Sequence, residues 1–225
     1  VAAWAAGWGV TVFLVITVIG AASWLVLLRR EHLSVPVDVN RGMFVRRMLS
    51  AMVASGASAV LITGFPAVIN AAFPAAPVAA LINAVILTRA PVLVPLQRFQ
   101  SALVVRFVEH RERIYAALAM PIAAVLALGA VGFVAAWALG PLILRLLFSP
   151  EYAMGGLTLG VLTFASAWMG ALMITGVAVL ALERHGWYVA GWVTATVVAF
   201  GIVFGAPAAA GGHVASVSTA LFLGP

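Results

Sequence analysis

The chain has 225 residues, of which 65% are hydrophobic and only 8% are charged. A soluble domain carries about 25% charged residues, so this sequence cannot build a water-facing surface around a core. The net charge of +6 is the balance of twelve arginines and six acidic residues. The arginines cluster between apolar runs and are expected to orient the chain in a bilayer rather than bind nucleic acid. No cysteine is present and the histidines form no pair at helical spacing, so we expect no disulfide, no metal site and no cofactor.

Apolar runs of about 20 residues recur along the whole chain, and runs of this length cross a bilayer as helices. The sequence therefore predicts an all-α fold, a polytopic transmembrane helical bundle. The last run is too short to span, and the chain begins on Val1 without a methionine, so both ends are expected to be cut. The predicted segments are about 4–28, 48–70, 77–97, 114–137, 154–182, 187–206 and 212–225.

The connections between these segments alternate in charge. Residues 29–47 hold five arginines and residues 98–113 hold four, whereas 73–77 and 206–212 hold none. Positive charge stays on the cytoplasmic side of a membrane. The arginine-rich connections and the short turn 183–186 are therefore predicted to face the cytoplasm. The uncharged connections are predicted to face the outside, together with 139–152, where Arg145 balances Glu151.

Two connections carry more than a turn. In 98–113, an apolar face lies opposite Arg106, Glu109 and His110, which predicts an amphipathic helix that either lies on the cytoplasmic surface or continues a span. Residues 141–148 surround one arginine with leucines and predict a short interfacial helix on the outer side.

The sequence GIVFG (201–205) is a G-x-x-x-G motif on an apolar segment. This spacing lets two helix backbones approach closely. We expect it to pack inside its own bundle, with dimerisation as the alternative.

The sequence contains no recognisable catalytic motif. Glu109, His110 and Glu112 lie in a run of alternating charge, which is typical of a solvated helix face. No span carries Asp or Glu near its centre, so the carboxylate that binds a proton or sodium ion in many transporters is missing here. We therefore expect a protein that is not an enzyme.

The stretch ILTRAPVLVPLQRFQ (86–100) places a permanent cation, Arg89, inside an apolar segment, followed by Pro91 and Pro95. An arginine near mid-bilayer costs about 2.5–3.5 kcal/mol on insertion scales, so such a residue normally faces a bundle interior or a watery cavity. The alternative is that Arg89 snorkels to the headgroups or caps carbonyls that the prolines leave free.

The order of elements along the chain resembles a known family. TRAPVLVPLQRFQSALVVRF is followed by a basic helix and a span, then by GPLILRLLFSPEYAMGGLTLGVLT, and later by ALERHGWYVAGW and FGAPAAAGG. Over residues 45–225 this resembles one half of the polysaccharide-biosynthesis flippases of the multidrug/oligosaccharidyl-lipid/polysaccharide exporter superfamily. The family has a G-R-H-like turn where this chain reads Glu183-Arg184-His185-Gly186.

The resemblance implies a transporter of two six-helix bundles. Residues 1–28 would be the last helix of a missing N-terminal bundle, 29–47 a cytoplasmic linker, and 48–225 one six-span bundle truncated at its last helix. The implied function is a flippase that moves a lipid-linked oligosaccharide or polysaccharide precursor across the bacterial cytoplasmic membrane by alternating access. Alternatives are a multidrug antiporter of the same superfamily, a membrane-embedded glycosyltransferase or ligase, and a purely structural membrane subunit.

The implied partners are membrane lipids, the N-terminal bundle and a lipid-linked sugar pyrophosphate. A guanidinium in a wet, low-dielectric cavity can bind a pyrophosphate with two parallel hydrogen bonds. The substrate-binding residues predicted on this basis are Arg89, with Gln97 and Asn83 as additional donors.

Overall fold

In a computed structural model of the protein, the residues described are 40–74, 78–148, 150–205 and 212–225, together with isolated positions between 12 and 23. Of the first predicted span, residues 12, 15, 16, 18–20, 22 and 23 are helical. The predicted linker lies outside the described residues up to residue 39.

From residue 40 onward, the described chain is helical throughout, with no strand. Residue 41 begins a helix that passes through a π-helical turn, Val60–Gly64, before it continues to residue 72. The predicted all-α fold is confirmed. The helices are α1 Arg41–Ala59, α2 Phe65–Ala72, α3 Ala79–Glu109, α4 Ile114–Leu147, α5 Gly156–Ala181, α6 His185–Gly205 and α7 His213–Leu223.

Five of the described helices are long and apolar enough to cross a membrane: α1 joined to α2, α3, α4, α5 and α6. The remaining helix, α7, has 11 residues. Large apolar side chains such as Val131 and Leu146 are exposed on the outside of the bundle, where only lipid can solvate them favourably. The chain is a membrane protein.

Three helices run further than their predicted segments. Helix α1 begins at Arg41, so residues 41–47, which were predicted to belong to the linker, are helical. Helix α3 continues through Pro91 and Pro95 to Glu109, so the amphipathic stretch continues a span, which was one of the two alternatives. Helix α4 continues through Pro141 to Leu147, so the prediction of a separate interfacial helix at 141–148 was wrong. A proline removes one backbone donor, whereas a helix end leaves four carbonyls without partners, and continuation is therefore favoured near lipid.

Helix α5 is the centre of the bundle, and α4 packs against it at close range through glycines. Gly156 and Gly160, which form the G-x-x-x-G of GLTLG, lie against the backbone carbonyls of Trp137 and Phe133 in α4. From the other side, Gly129 of α4 lies against Ala167 of α5. Small residues allow this approach, and the dispersion contacts that follow hold helices together in a membrane.

The motif GIVFG does not have the predicted role inside the bundle. Gly201 and Gly205 are exposed on α6, and a Cβ atom built on either would meet nothing within 4 Å. The packing prediction was wrong because the motif alone does not say which face of the helix is turned inward. Dimerisation through this face stays a prediction.

Two contacts show which of the predicted connections lie at the same end of the bundle. Arg111 and Glu183 are 3.8 Å apart, so the two short connections predicted to be cytoplasmic lie at the same end. At the other end, the rings of Phe73 and His213 are 6.0 Å apart, which brings together two connections predicted to be outside. Which end faces the cytoplasm stays a prediction.

The turn that ends α5 closes through a residue in the left-handed conformation. The N–H of Arg184 donates to the carbonyl of Val179 and the N–H of Glu183 donates to that of Leu180, which is a Schellman motif. Glu183 adopts φ 59°, a left-handed conformation that glycine adopts without strain. This chain keeps the turn with a glutamate in the strained position.

We expect Gly129→Ala to destabilise the bundle, by about 1–3 kcal/mol, because its methyl group would overpack against Ala167. Gly201→Ala is the matched control, since it also lies inside a helix but faces open space. It should leave stability unchanged or raise it by up to about 1 kcal/mol through helix propensity. Unfolding of the purified protein in mixed micelles by titration with dodecyl sulfate measures both. Equal effects of the two substitutions would contradict the packing described here.

Candidate functional site

Arg89 lies in the interior of the bundle, on the inward face of α3, where its side chain is only 7% exposed. Its Nη1 donates to the backbone carbonyls of Ile62 at 2.9 Å and Leu61 at 3.2 Å. The guanidinium carbon also lies 5.1 Å from the centre of the Phe65 ring, within range of a cation–π interaction. The predicted inward position of Arg89 is confirmed. Its contacts are also of the kind that the alternative interpretation named, the capping of carbonyls, although these carbonyls belong to another span.

A proline in the preceding span removes the backbone donor of one of these carbonyls. In an α-helix, the carbonyl of Ile62 would accept from residue 66, and in a π-helix, the carbonyl of Leu61 would accept from the same residue. Residue 66 is Pro66, which has no N–H. The π-helical turn Val60–Gly64 ends two residues before it. Arg89 therefore supplies the donor that Pro66 lacks, across the interface between two spans.

The guanidinium is not saturated by these contacts. Its Nη2 is buried and has no hydrogen-bond partner among the described residues. The one ion pair in the described part of the chain joins Arg111 to Glu183 at the bundle end, so no described carboxylate neutralises Arg89. Burying a cation without a counterion is costly. The arrangement leaves one donor and one positive charge for a further acceptor, and an anionic oxygen satisfies both.

Gln97 and Asn83, the other predicted substrate ligands, do not lie together with Arg89. Gln97 lines a cavity of about 270 Å³ whose walls do not include Arg89 or Asn83. It follows Arg89 by eight residues, or about 12 Å along α3. Asn83 is half-buried. The binding roles of all three residues stay predictions.

Sequence reasoning missed two features of this region. The first is the pairing of Arg89 with the carbonyls that Pro66 frees; the prolines considered were Pro91 and Pro95, which lie on the arginine's own helix. The stretch GFP (64–66) inside an apolar run was a signal of a broken helix. The second is the contribution of Tyr188 and Trp192 to the cavity wall, which no spacing in the sequence indicates.

A larger groove of about 880 Å³ runs between α3 and α4 and reaches Ile174 of α5. Its walls are mostly apolar, and the end near the connection to α4 carries Arg106, Glu109 and His110. Arg106 is half-buried, and its Nε donates to the carbonyl of Ala117 at 3.5 Å. Because a carboxylate stands beside the arginine, this end has no clear preference for an anion.

Comparison with known proteins finds similarity to relatives in mycobacteria. An uncharacterized protein of Mycobacterium tuberculosis is 37% identical over 198 residues, which make up 85% of this chain and 46% of the relative. A second uncharacterized protein of that species and one of Mycobacterium bovis are each 36% identical over the same shares. The chain thus spans about half the length of the curated relatives it matches. No family model and no solved structure matches the chain.

We expect Arg89→Met and Pro66→Ala to be coupled in stability. The methionine leaves the carbonyls of Leu61 and Ile62 buried without a donor, which costs about 1–3 kcal/mol, whereas the alanine restores an N–H that one of them can accept. In a double-mutant cycle, Pro66→Ala should therefore lower the cost of Arg89→Met by about 1 kcal/mol or more.

Pro91→Ala is the matched control for this cycle. It restores a donor on α3 itself, whose partner would be the carbonyl of Leu87, a group that Arg89 does not contact. Unfolding in mixed micelles measures each variant. If Arg89→Met is additive with Pro66→Ala, or couples equally to Pro91→Ala, the carbonyls of Leu61 and Ile62 do not depend on Arg89.

Proposed function

We propose that the protein is a flippase that carries a lipid-linked oligosaccharide or polysaccharide precursor across the bacterial cytoplasmic membrane by alternating access. The observation that carries the proposal is the state of Arg89: a buried, un-neutralised cation whose Nη2 has no partner among the described residues. A pyrophosphate between lipid and sugar supplies the missing negative charge and the acceptor oxygens.

The position of Arg89 supports binding of a substrate phosphate during translocation. The Nη1 contacts hold the guanidinium plane against the broken helix, so little side-chain entropy remains to be lost when a phosphate binds. Hydrogen bonds between a guanidinium and a phosphate are short and strong, and they gain further strength in a low-dielectric interior. An anionic headgroup inside the bundle is thereby stabilised where lipid alone would exclude it.

A cation-coupled antiporter is supported less well by this part of the protein. The broken turn offers two free carbonyls, which in other transporters coordinate a coupling cation, but here the guanidinium of Arg89 already occupies them. The five candidate spans contain no carboxylate near their centres. A glycosyltransferase is also supported less well, because the connections predicted to be outside carry a single acidic residue, Glu151.

The length of the relatives is compatible with a second bundle. The matched 198 residues make up 46% of each relative, so the remainder has room for the N-terminal half that the proposal requires. Two halves that rock against each other around a central site are the usual basis of alternating access. The inner surface of this half would then contribute Arg89 to that site.

We expect Arg89→Ala in the full-length protein to abolish translocation of a polyprenyl-pyrophosphate-linked sugar in proteoliposomes. Arg89→Lys should restore only part of the rate, because lysine keeps the charge but not the planar pair of donors. The assay measures how fast labelled substrate in the inner leaflet becomes accessible to an enzyme added outside.

The double variant Arg89→Ala with Pro66→Ala separates transport from folding. The restored backbone donor should return stability towards that of the Pro66→Ala protein while translocation stays absent. If this double variant is stable and transports at the rate of the Pro66→Ala protein, Arg89 has only a structural role and does not bind the substrate phosphate. Absence of translocation by the wild-type protein would overturn the proposed function itself.

A further inference from the structure

A polar cavity of about 270 Å³ lies between α1, α3, α5 and α6. Its polar lining comes from Ser58, Gln97, Gln100, Tyr188 and Trp192. Tyr188 stands in the first turn of α6, directly after the connection 182–184, so the cavity lies towards the bundle end that carries the arginine-rich connections. Its side chains bear hydroxyl, amide and indole groups but no formal charge.

Trp192 carries a buried donor at the wall of the cavity. The residue is only 4% exposed, and its Nε1 lies within reach of the Tyr188 side chain without the geometry of a good hydrogen bond. Thr196, one turn further along α6, donates to the carbonyls of Trp192 and Ala57, so the surrounding backbone is satisfied while the indole is not. A buried donor without an acceptor is costly, and native structures keep few of them.

The chemistry of the lining selects a neutral, hydroxyl-rich ligand. The two glutamine amides each offer donors and an acceptor, as vicinal hydroxyls require. The rings of Tyr188 and Trp192 stand edge to face with centres 6.4 Å apart, and their electron-rich faces attract the C–H groups of a sugar ring. An anion would find no cation in this lining, and a cation no carboxylate.

We propose that this cavity binds a sugar ring of the transported glycan, with Gln97, Gln100 and Trp192 as its hydrogen-bonding residues. The inference rests on the proposed function for its link to transport. Ile62 joins the two sites, since its carbonyl accepts from Arg89 and its side chain lines the cavity. Arg89 and Gln97 are about 12 Å apart along α3, a distance that two or more linked sugar rings can span.

Binding of free sugars tests this site without any transport. Saturation-transfer NMR on the protein in lipid nanodiscs, with methyl α-glucopyranoside and N-acetylglucosamine as probes, reports weak contacts of this kind. We expect signals from the ring protons, and an apparent Kd at least tenfold weaker in Trp192→Phe, which keeps the aromatic ring but loses the N–H. Trp168→Phe is the matched control, because Trp168 is 41% exposed on α5 and does not line the cavity.

Gln100 is exposed, so Gln100→Leu is not expected to impair folding. This second variant therefore tests sugar binding even if Trp192→Phe has a folding defect. Absence of sugar signals in the wild type, or equal affinities in the wild type, Trp192→Phe and Gln100→Leu, would show that the cavity holds water only. Sugar binding that depends on Trp192, together with no translocation of the lipid-linked sugar by the wild-type protein, would retain this site and overturn the flippase proposal instead.

Discussion

The candidate site depends on one interaction, the donation from Arg89 Nη1 to the carbonyls of Leu61 and Ile62. Pro66 breaks the hydrogen-bond pattern of one span, and a buried arginine on the next span repairs it. The hydrocarbon core of a membrane contains no water that could donate to an unpaired carbonyl, so the donor for a broken helix must come from the protein. This requirement accounts for a permanent cation in the middle of an apolar helix. It also joins α3 to the α1–α2 span more firmly than apolar contacts alone would.

The same interaction leaves the site chemically incomplete. A neutral donor such as asparagine would satisfy the two carbonyls without bringing a charge into the bundle. The use of arginine adds a positive charge that no described carboxylate balances and a second terminal nitrogen, Nη2, without a partner. In the proposed function, structural repair and anion binding are two uses of one side chain: Nη1 donates to the broken helix and Nη2 donates to the substrate phosphate. The neutral cavity beyond Ile62 extends this site with groups of a different kind, suited to hydroxyls rather than to phosphate.

Much of the fold was predictable because the solvent imposes it. The lengths of the apolar runs predicted a helical membrane protein, and the positions of the arginines predicted which connections lie at the same end of the bundle. Both signals depend only on composition along the chain. The inward position of Arg89 followed from the cost of exposing a guanidinium to lipid. The partner of Arg89 could not be predicted in the same way, because the contact joins residues 27 positions apart. The glycine motif that packs, GLTLG, and the one that does not, GIVFG, look alike in sequence, and only tertiary packing distinguishes their faces.

The most direct test of the account is an experimental structure of the full-length protein in lipid nanodiscs with a polyprenyl-pyrophosphate-linked sugar bound. The account predicts a phosphate oxygen about 2.7–2.9 Å from Nη2 of Arg89, the distance of a charge-assisted hydrogen bond, while Nη1 remains on the carbonyl of Ile62. A carboxylate from another part of the full-length protein paired with Nη2, and the phosphate bound elsewhere, would contradict it.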